Sequence, residues 1–179
     1  MIKDRRQLKK TIYYTTGCLI LLVICSLPIP KILYINTSLS APLGVYITKD
    51  DQHIGRGDFV VLNVPQEVED IIHGRGWLPP DKPLLKEVYA LPGDIFTITE
   101  TKIFANGTPA GDVYTHDLNG QPLPVLRGEF IVRDGHFLPL ATYRNNSFDG
   151  RYFGDVPQGL IIKKVVPFLL IPEWLESYF

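Results

Sequence analysis

The sequence predicts a mainly β domain carried behind an N-terminal transmembrane helix, and three observations support that reading. After Lys31, short runs rich in Val, Ile, Tyr and Phe recur between turn signals, with the alternation or uniform apolarity of strands. Fifteen glycines and fifteen prolines supply the corners that many short strands need. Near the N-terminus, residues 11–30 run for 20 positions without a charge. As a helix, such a run would span about 30 Å, roughly one hydrocarbon core.

The flanks of that run give it a direction. Residues 1–10 hold Lys3, Arg5, Arg6, Lys9 and Lys10 against Asp4, a net of +4, and the rest of the chain has 13 basic and 18 acidic residues, a net of −5. A basic cluster before an apolar span stays in the cytoplasm, and the chain beyond the span is exported. The expected organisation is a cytoplasmic basic segment at 1–10, a transmembrane anchor at 11–30 and an exported domain at 31–179. The run closes on Cys25-Ser26-Leu27-Pro28-Ile29-Pro30, which lacks the small residues of a cleavage site and carries prolines where one avoids them, so a retained anchor is expected. Cys18 and Cys25 both lie inside the run, leaving the exported domain without a disulfide or a thiol nucleophile.

Composition also excludes several classes. An acidic domain is a poor partner for nucleic acid. His53, His73, His116 and His136 are scattered, with neither metal-ligand spacing nor a nucleophile-elbow context, and no glycine-rich phosphate loop is present. No metal and no cofactor is expected.

Within the exported domain the expected strands are 44–48, 58–64, 84–90, 95–99, 102–105, 129–132, 137–140 and 160–166. Asn106-Gly107 and Asp134-Gly135 read as hairpin turns. Residues 66–73 read as one short helix with Val68, Ile71 and Ile72 on one side. The apolar, aromatic tail at 168–179 reads as a final strand packed in the core, or as a segment whose Trp174, Leu175 and Phe179 rest in a membrane interface.

Three stretches carry chemistry. In Asn36-Thr37-Ser38-Leu39-Ser40-Ala41-Pro42-Leu43-Gly44-Val45-Tyr46, two hydroxyls two residues apart precede a turn fixed by Pro42 and Gly44. One serine could attack a carbonyl while the other donates to the oxyanion. Leu85-Lys86-Glu87-Val88-Tyr89-Ala90-Leu91-Pro92-Gly93-Asp94 places a lysine in an apolar strand, where desolvation lowers its pKa toward that of a usable base. Glu87 would oppose that effect, but strand alternation sends it to the other face. In Asn145-Asn146-Ser147-Phe148-Asp149-Gly150-Arg151-Tyr152-Phe153-Gly154, an extended chain would set Ser147, Asp149 and Arg151 on one face, with Ser147 orienting the lysine and the ion pair holding the segment. Together they suggest a Ser-Lys peptidase working beside a membrane.

In this order behind an anchor, the three stretches resemble the signal peptidase I clan of Ser-Lys proteases, and Ser40-Ala41-Pro42-Leu43-Gly44-Val45-Tyr46 looks like the TraF-type branch, the conjugative-transfer peptidases. Lys86 through Asp94 matches the clan's Lys-(x)₄-Leu-Pro-Gly-Asp segment, and residues 146–154 resemble its Asn-Ser-x-Asp-Ser-Arg-Tyr-Trp-Gly, with Gly150 replacing a serine and Phe153 a tryptophan. The resemblance implies a signal-peptidase-like antiparallel β domain. It implies Ser40 as nucleophile, Lys86 as general base, and Ser38 completing an oxyanion hole with the Ser40 amide. Ser147 would position the lysine, supported by Asp149 and Arg151. The larger clan has Ser-Met-x-Pro where this chain is one residue shorter and lacks the methionine; the TraF-type spacing favours Ser40 over Ser38.

The expected activity is signal-peptidase-type cleavage of an exported precursor, a conjugative pilin propeptide by resemblance. The expected partners are the bilayer, that precursor and components of a conjugation or type IV secretion apparatus. The expected location is the cell inner membrane, single-pass, with the catalytic domain in the periplasm. Two alternatives stay open: a general signal peptidase I, and a non-catalytic membrane-anchored β module of a secretion or pilus complex. The second has no need of Ser40, Lys86 and Ser147 together.

Overall fold

The computed structural model describes residues 32–51 and 53–176, together with residues 7, 10, 11 and 13–19. The described residues between 7 and 19 are helical. Most of the expected anchor, residues 12 and 20–30, lies outside the described residues, as do Cys25 and all but two positions of segment 1–10. Among the described residues no helix is long and apolar enough to cross a membrane. The chain divides into two compact units, one ending at Ile32 and the other running from Leu33 to Phe179.

The second unit is mainly β and antiparallel. Its strands are β1 (Leu33–Asn36), β2 (Gly44–Lys49), β3 (Phe59–Leu62), β4 (Leu84–Ala90), β5 (Ile95–Ile98), β6 (Lys102–Ala105), β7 (Thr108–Asp112), β8 (Gly128–Ile131), β9 (His136–Leu140), β10 (Val156–Pro157) and β11 (Ile161–Leu170). Helix α1 (Gln66–Gly74) lies between β3 and β4, α2 (Gly150–Phe153) between β9 and β10, and α3 (Glu173–Glu176) comes after β11. Seven strands form one sheet in the order β1-β2-β11-β3-β4-β9-β10, and four form a second in the order β7-β6-β5-β8.

The Pro-Gly-Asp corner is where the chain leaves the first sheet for the second. Gly93 adopts φ +86, a region that strains other residues, and the Asp94 carboxylate accepts from the Leu91 N–H at 2.7 Å, from Asn106 Nδ2 at 2.9 Å and from Arg56. The chain returns at Asp134-Gly135. The sequence suggests a hairpin there, but the flanking strands belong to different sheets: β8 pairs with β5, and β9 pairs with β4. Asn106-Gly107 is the expected hairpin, joining β6 to β7 with both residues at positive φ.

Burial follows the pleat. Phe96, Ile98 and Ile103 of the small sheet pack against Leu138 and Leu140 of β9 and against Tyr152. Val60, Leu62, Val88 and Phe137 form a second cluster. On β4 the buried positions alternate, Lys86, Val88 and Ala90, so the lysine occupies a core position, in register with fully buried Val60.

The tail corrects one expectation. It does form a strand, longer than expected and inserted between β2 and β3, but its C-terminal half does not pack in the core: Phe168 is 68% exposed, and Leu169 and Leu170 are exposed too. Trp174 on α3 is 73% exposed. On the neighbouring edge, Leu33 and Ile35 of β1 are exposed, and Ile35, Val45 and Leu169 stand opposite one another across β1, β2 and β11. Cross-strand partners share a face, so this end of the sheet presents an apolar surface to the outside.

Candidate active site

The serine turn joins β1 to β2. Asn36 closes β1 and is 8% exposed. Its Oδ1 accepts from the Ser38 N–H at 3.0 Å, an Asx-turn, while its Nδ2 donates to the carbonyls of Ser38, Ala41 and Pro42 at 2.9 to 3.0 Å. Tyr46 Oη also donates to the Pro42 carbonyl, at 2.8 Å. Gly44 opens β2 at φ +144, and a Cβ there would fall 2.2 Å from the Leu169 carbonyl oxygen, so only glycine lets β11 approach. Within this frame Ser38 Oγ and Ser40 Oγ are 3.1 Å apart, and the Ser40 N–H makes a long bond of 3.4 Å to Ser38 Oγ. Two hydroxyls and an amide therefore converge at one partly exposed spot, the set of groups that a nucleophile with an oxyanion hole requires.

Lys86 is buried on β4. Its side chain is 3% exposed, and Nζ donates to Ser147 Oγ at 2.7 Å. Burial brings its pKa down from 10.5 to about 8; the Asp149 carboxylate acts against that shift and the Arg151 guanidinium with it. Glu87 has a different partner, accepting from Thr142 Oγ1 at 2.6 Å. The carboxylate that matters to the lysine is thus Asp149, which comes from a segment distant in sequence.

An extended chain would set Ser147, Asp149 and Arg151 on one face; here Asp149 is extended, but Gly150–Phe153 turns into a short helix. Asp149 caps the short helix α2, accepting from the Arg151 N–H at 3.2 Å, so the turn itself brings the two side chains together. Both are 0% exposed. Arg151 Nε donates to Asp149 Oδ1 at 2.8 Å, and its terminal nitrogens donate to the carbonyls of Asp112, Asn145 and Ala141 and to Asp149 Oδ2. The other Asp149 oxygen accepts from the Ala141 N–H at 2.8 Å. A buried guanidinium with this many partners ties β7 and the end of β9 to the loop carrying Ser147. The guanidinium lies against Gly111, where a Cβ would meet Nη1 at 3.3 Å.

The structure therefore brings Lys86 to Ser147 and Ser38 to Ser40. No hydrogen bond among the described residues joins the two pairs. Among the described residues no cluster of His, Cys, Asp and Glu has the arrangement of a metal site. The residue that sequence reasoning missed is Asn36; its signal was the Asn-x-Ser pattern that favours an Asx-turn.

Comparison with known proteins agrees with the motifs. Residues 5–169 match the family described as signal peptidase, peptidase S26. The chain is 31% identical to a plasmid transfer protein TraF from Escherichia coli, over 75% of this chain and 81% of that one. It is 33% identical to a conjugal transfer protein TraF from Agrobacterium fabrum, over 69% of this chain and 74% of that one. A probable signal peptidase I-2 from Synechocystis is 28% identical, over 66% of this chain and 50% of that one. On the length of the match and the identity to the TraF proteins, the chain belongs to the S26 signal peptidase family, as a TraF-type member.

Proposed function

We propose that this protein is a membrane-anchored serine endopeptidase with a Ser40–Lys86 dyad that cleaves an exported precursor. The observation that carries the reading is Lys86: a lysine buried in the core, held near pKa 8 and bonded to a serine hydroxyl has little structural reason to be there. In the reaction, neutral Lys86 Nζ takes the proton from Ser40 Oγ as that oxygen bonds to the scissile carbonyl carbon. The carbonyl oxygen, now an oxyanion, accepts from the Ser40 N–H and the Ser38 hydroxyl. The ammonium then protonates the departing amine, leaving an acyl-Ser40 ester and a neutral Lys86. Water, deprotonated by the same lysine, releases the ester and restores the serine. Proton transfer requires Ser40 Oγ within hydrogen-bond reach of Lys86 Nζ, which Ser147 Oγ holds at 2.7 Å.

The proposed location rests on the chemistry at one end of the sheet. The exposed Leu33, Ile35 and Leu169 give the sheet an apolar surface on the strands that flank the serine turn, Phe168 and Trp174 are exposed as well, and the uncharged run at 11–30 ends two residues before β1. An anchor at 11–30, a cytoplasmic N-terminus and a periplasmic domain resting on the inner membrane would set Ser40 at the bilayer face, where a membrane-tethered precursor presents its cleavage site.

The relatives named as plasmid and conjugal transfer proteins favour a pilin precursor within a conjugation apparatus. The similarity to a signal peptidase I favours, as a second reading, action on many exported precursors. Co-expression of the full chain with a conjugative pilin precursor or with an unrelated secreted precursor, then mass spectrometry of the products, separates the two. Cleavage of the pilin alone supports the first reading and cleavage of both supports the second. Absence of both products, with the protein folded and in the membrane fraction, overturns the enzyme reading in favour of a scaffold.

A further inference from the structure

The dyad reading assigns no part to Asn36, yet this side chain shapes the turn that bears the nucleophile. An amide nitrogen has two N–H donors, and Asn36 Nδ2 lies within 3.0 Å of three carbonyl oxygens, those of Ser38, Ala41 and Pro42. Those carbonyls are therefore gathered around one nitrogen, with the Ser38 N–H held by Oδ1 of the same group. The Ala41 N–H reaches the Ser38 carbonyl at 3.4 Å, which also fixes the peptide after Ser40. The residues on both sides of Leu39-Ser40 are thus pinned from inside the turn. Among the described residues the Ser40 N–H makes only its long bond to Ser38 Oγ, and the Ser40 hydroxyl lies beside the same oxygen. The three carbonyls belong to the Ser38–Leu39, Ala41–Pro42 and Pro42–Leu43 peptides, each planar, so the amide fixes the backbone just before and just after Leu39-Ser40 and does not engage the Leu39–Ser40 peptide that carries the Ser40 N–H.

We propose that Asn36 is a positioning residue for the reaction: without touching substrate, its amide holds the turn so that the Ser40 N–H, the Ser40 hydroxyl and the Ser38 hydroxyl share one geometry, with Tyr46 holding the Pro42 carbonyl as a second donor. The inference rests on the Ser40 reading given above. Its particular content is that the neutral amide acts through donation to carbonyls. A carboxylate, which accepts from Ser38 equally well, would set an anion without a donor against three carbonyl oxygens.

The test uses the full chain in detergent or vesicles with a cleaved pilin precursor, and compares Asn36→Ala, Asn36→Asp and Tyr46→Phe with wild type by kcat, KM, pH profile and thermal unfolding. Asn36→Ala is expected to lower kcat about 10- to 100-fold per folded molecule, comparable with loss of an oxyanion donor, while KM stays within about threefold. The apparent pKa of the profile should not move, because the Lys86 pocket is built by other segments. Asn36→Asp should lose at least as much as Asn36→Ala. Tyr46→Phe, which keeps the ring in the core, should lower kcat a few-fold. An active wild type matched by Asn36→Ala or rescued by Asn36→Asp, or a change confined to unfolding temperature, overturns the inference and leaves the dyad standing. If Asn36→Ala does not fold, an unchanged kcat in Tyr46→Phe overturns it. A wild type that cleaves nothing removes the dyad reading and this inference together.

Discussion

The serine turn and the lysine pocket sit in one sheet but are stabilised by different means. The turn joins an edge strand to its neighbour, is partly open to solvent, and is shaped by a neutral amide and by glycine at Gly44. The pocket lies mid-strand, closed to water and built around a buried ion pair. The contrast matches what each group must do. A nucleophile has to meet a large substrate, so it needs exposure and a fixed backbone. A lysine base has to lose its proton near neutral pH, so it needs desolvation, and desolvation needs a closed and costly environment. Damage to the turn should therefore appear in rate with little change in stability, and damage to the pocket in both.

The largest expected effect tests whether the two halves act as one unit. Ser40→Ala and Lys86→Ala should each abolish precursor cleavage, and the double variant should be scarcely worse than either, because losing one member disables the activated nucleophile. Cleavage measured on folded, membrane-bound protein checks this; more than about a tenth of wild-type activity in Lys86→Ala would break the assignment.

Next in size is the ion pair. Asp149→Asn leaves Arg151 buried beside a neutral amide, and Arg151→Ala leaves the Asp112, Asn145 and Ala141 carbonyls short of donors. Each should cost about 3–5 kcal/mol of stability, the usual cost of leaving a buried charge without its partner. Chemical denaturation measures it, and a loss below about 1 kcal/mol would mean that the pocket is far wetter than its 0% exposure implies. Ser38→Ala is the counterpart on the turn: cleavage about 10- to 10³-fold slower, with an unfolding midpoint close to wild type. If Ser38→Ala proved inactive and Ser40→Ala active, the two serines would exchange roles.

The same contrast explains what could be read from the sequence. β4 has the expected limits, because an apolar run ending at Pro-Gly-Asp fixes both of them locally. The Asn106-Gly107 hairpin was legible for the same reason. β7 was missed because Thr-Pro-Ala-Gly-Asp has no strand composition; its pairing with β6 and the Arg151 bond to the Asp112 carbonyl place it. The insertion of β11 between β2 and β3 is a long-range pairing, and its exposed Phe168 and Leu169 violate the burial that such a composition suggests. Of the candidate site, the residue types were visible in motifs. That Asp149 rather than Glu87 acts on Lys86 was not, since it depends on the turn at α2. Gly150 belongs here too: a Cβ would sit 2.7 Å from the Pro139 carbonyl oxygen, so the serine that the clan's pattern carries at this position has no room in this chain.

The pH dependence, which ends in the smallest expected shift, is also the most direct test of the physics around Lys86. With Lys86 near pKa 8, kcat/KM should fall about tenfold per pH unit well below pH 8 and level off above it. The same shift has a stability consequence of fixed sign. The folded pKa lies below the unfolded value of 10.5, so the unfolded chain binds more protons between about pH 8 and 10.5. Burying the ammonium therefore costs stability in full below pH 8, and that cost is relieved as pH rises through the window. The stability difference between Lys86→Met and wild type should shrink across it by at most about 3 kcal/mol. Ser147→Ala sharpens the point. Its hydroxyl oxygen accepts from Nζ at 2.7 Å and so favours the charged amine; removing it should slow cleavage and move the apparent pKa slightly down, by less than about one unit. A profile that climbs only above pH 10, or an upward shift in Ser147→Ala, would show that Lys86 is not the desolvated base that its burial makes it.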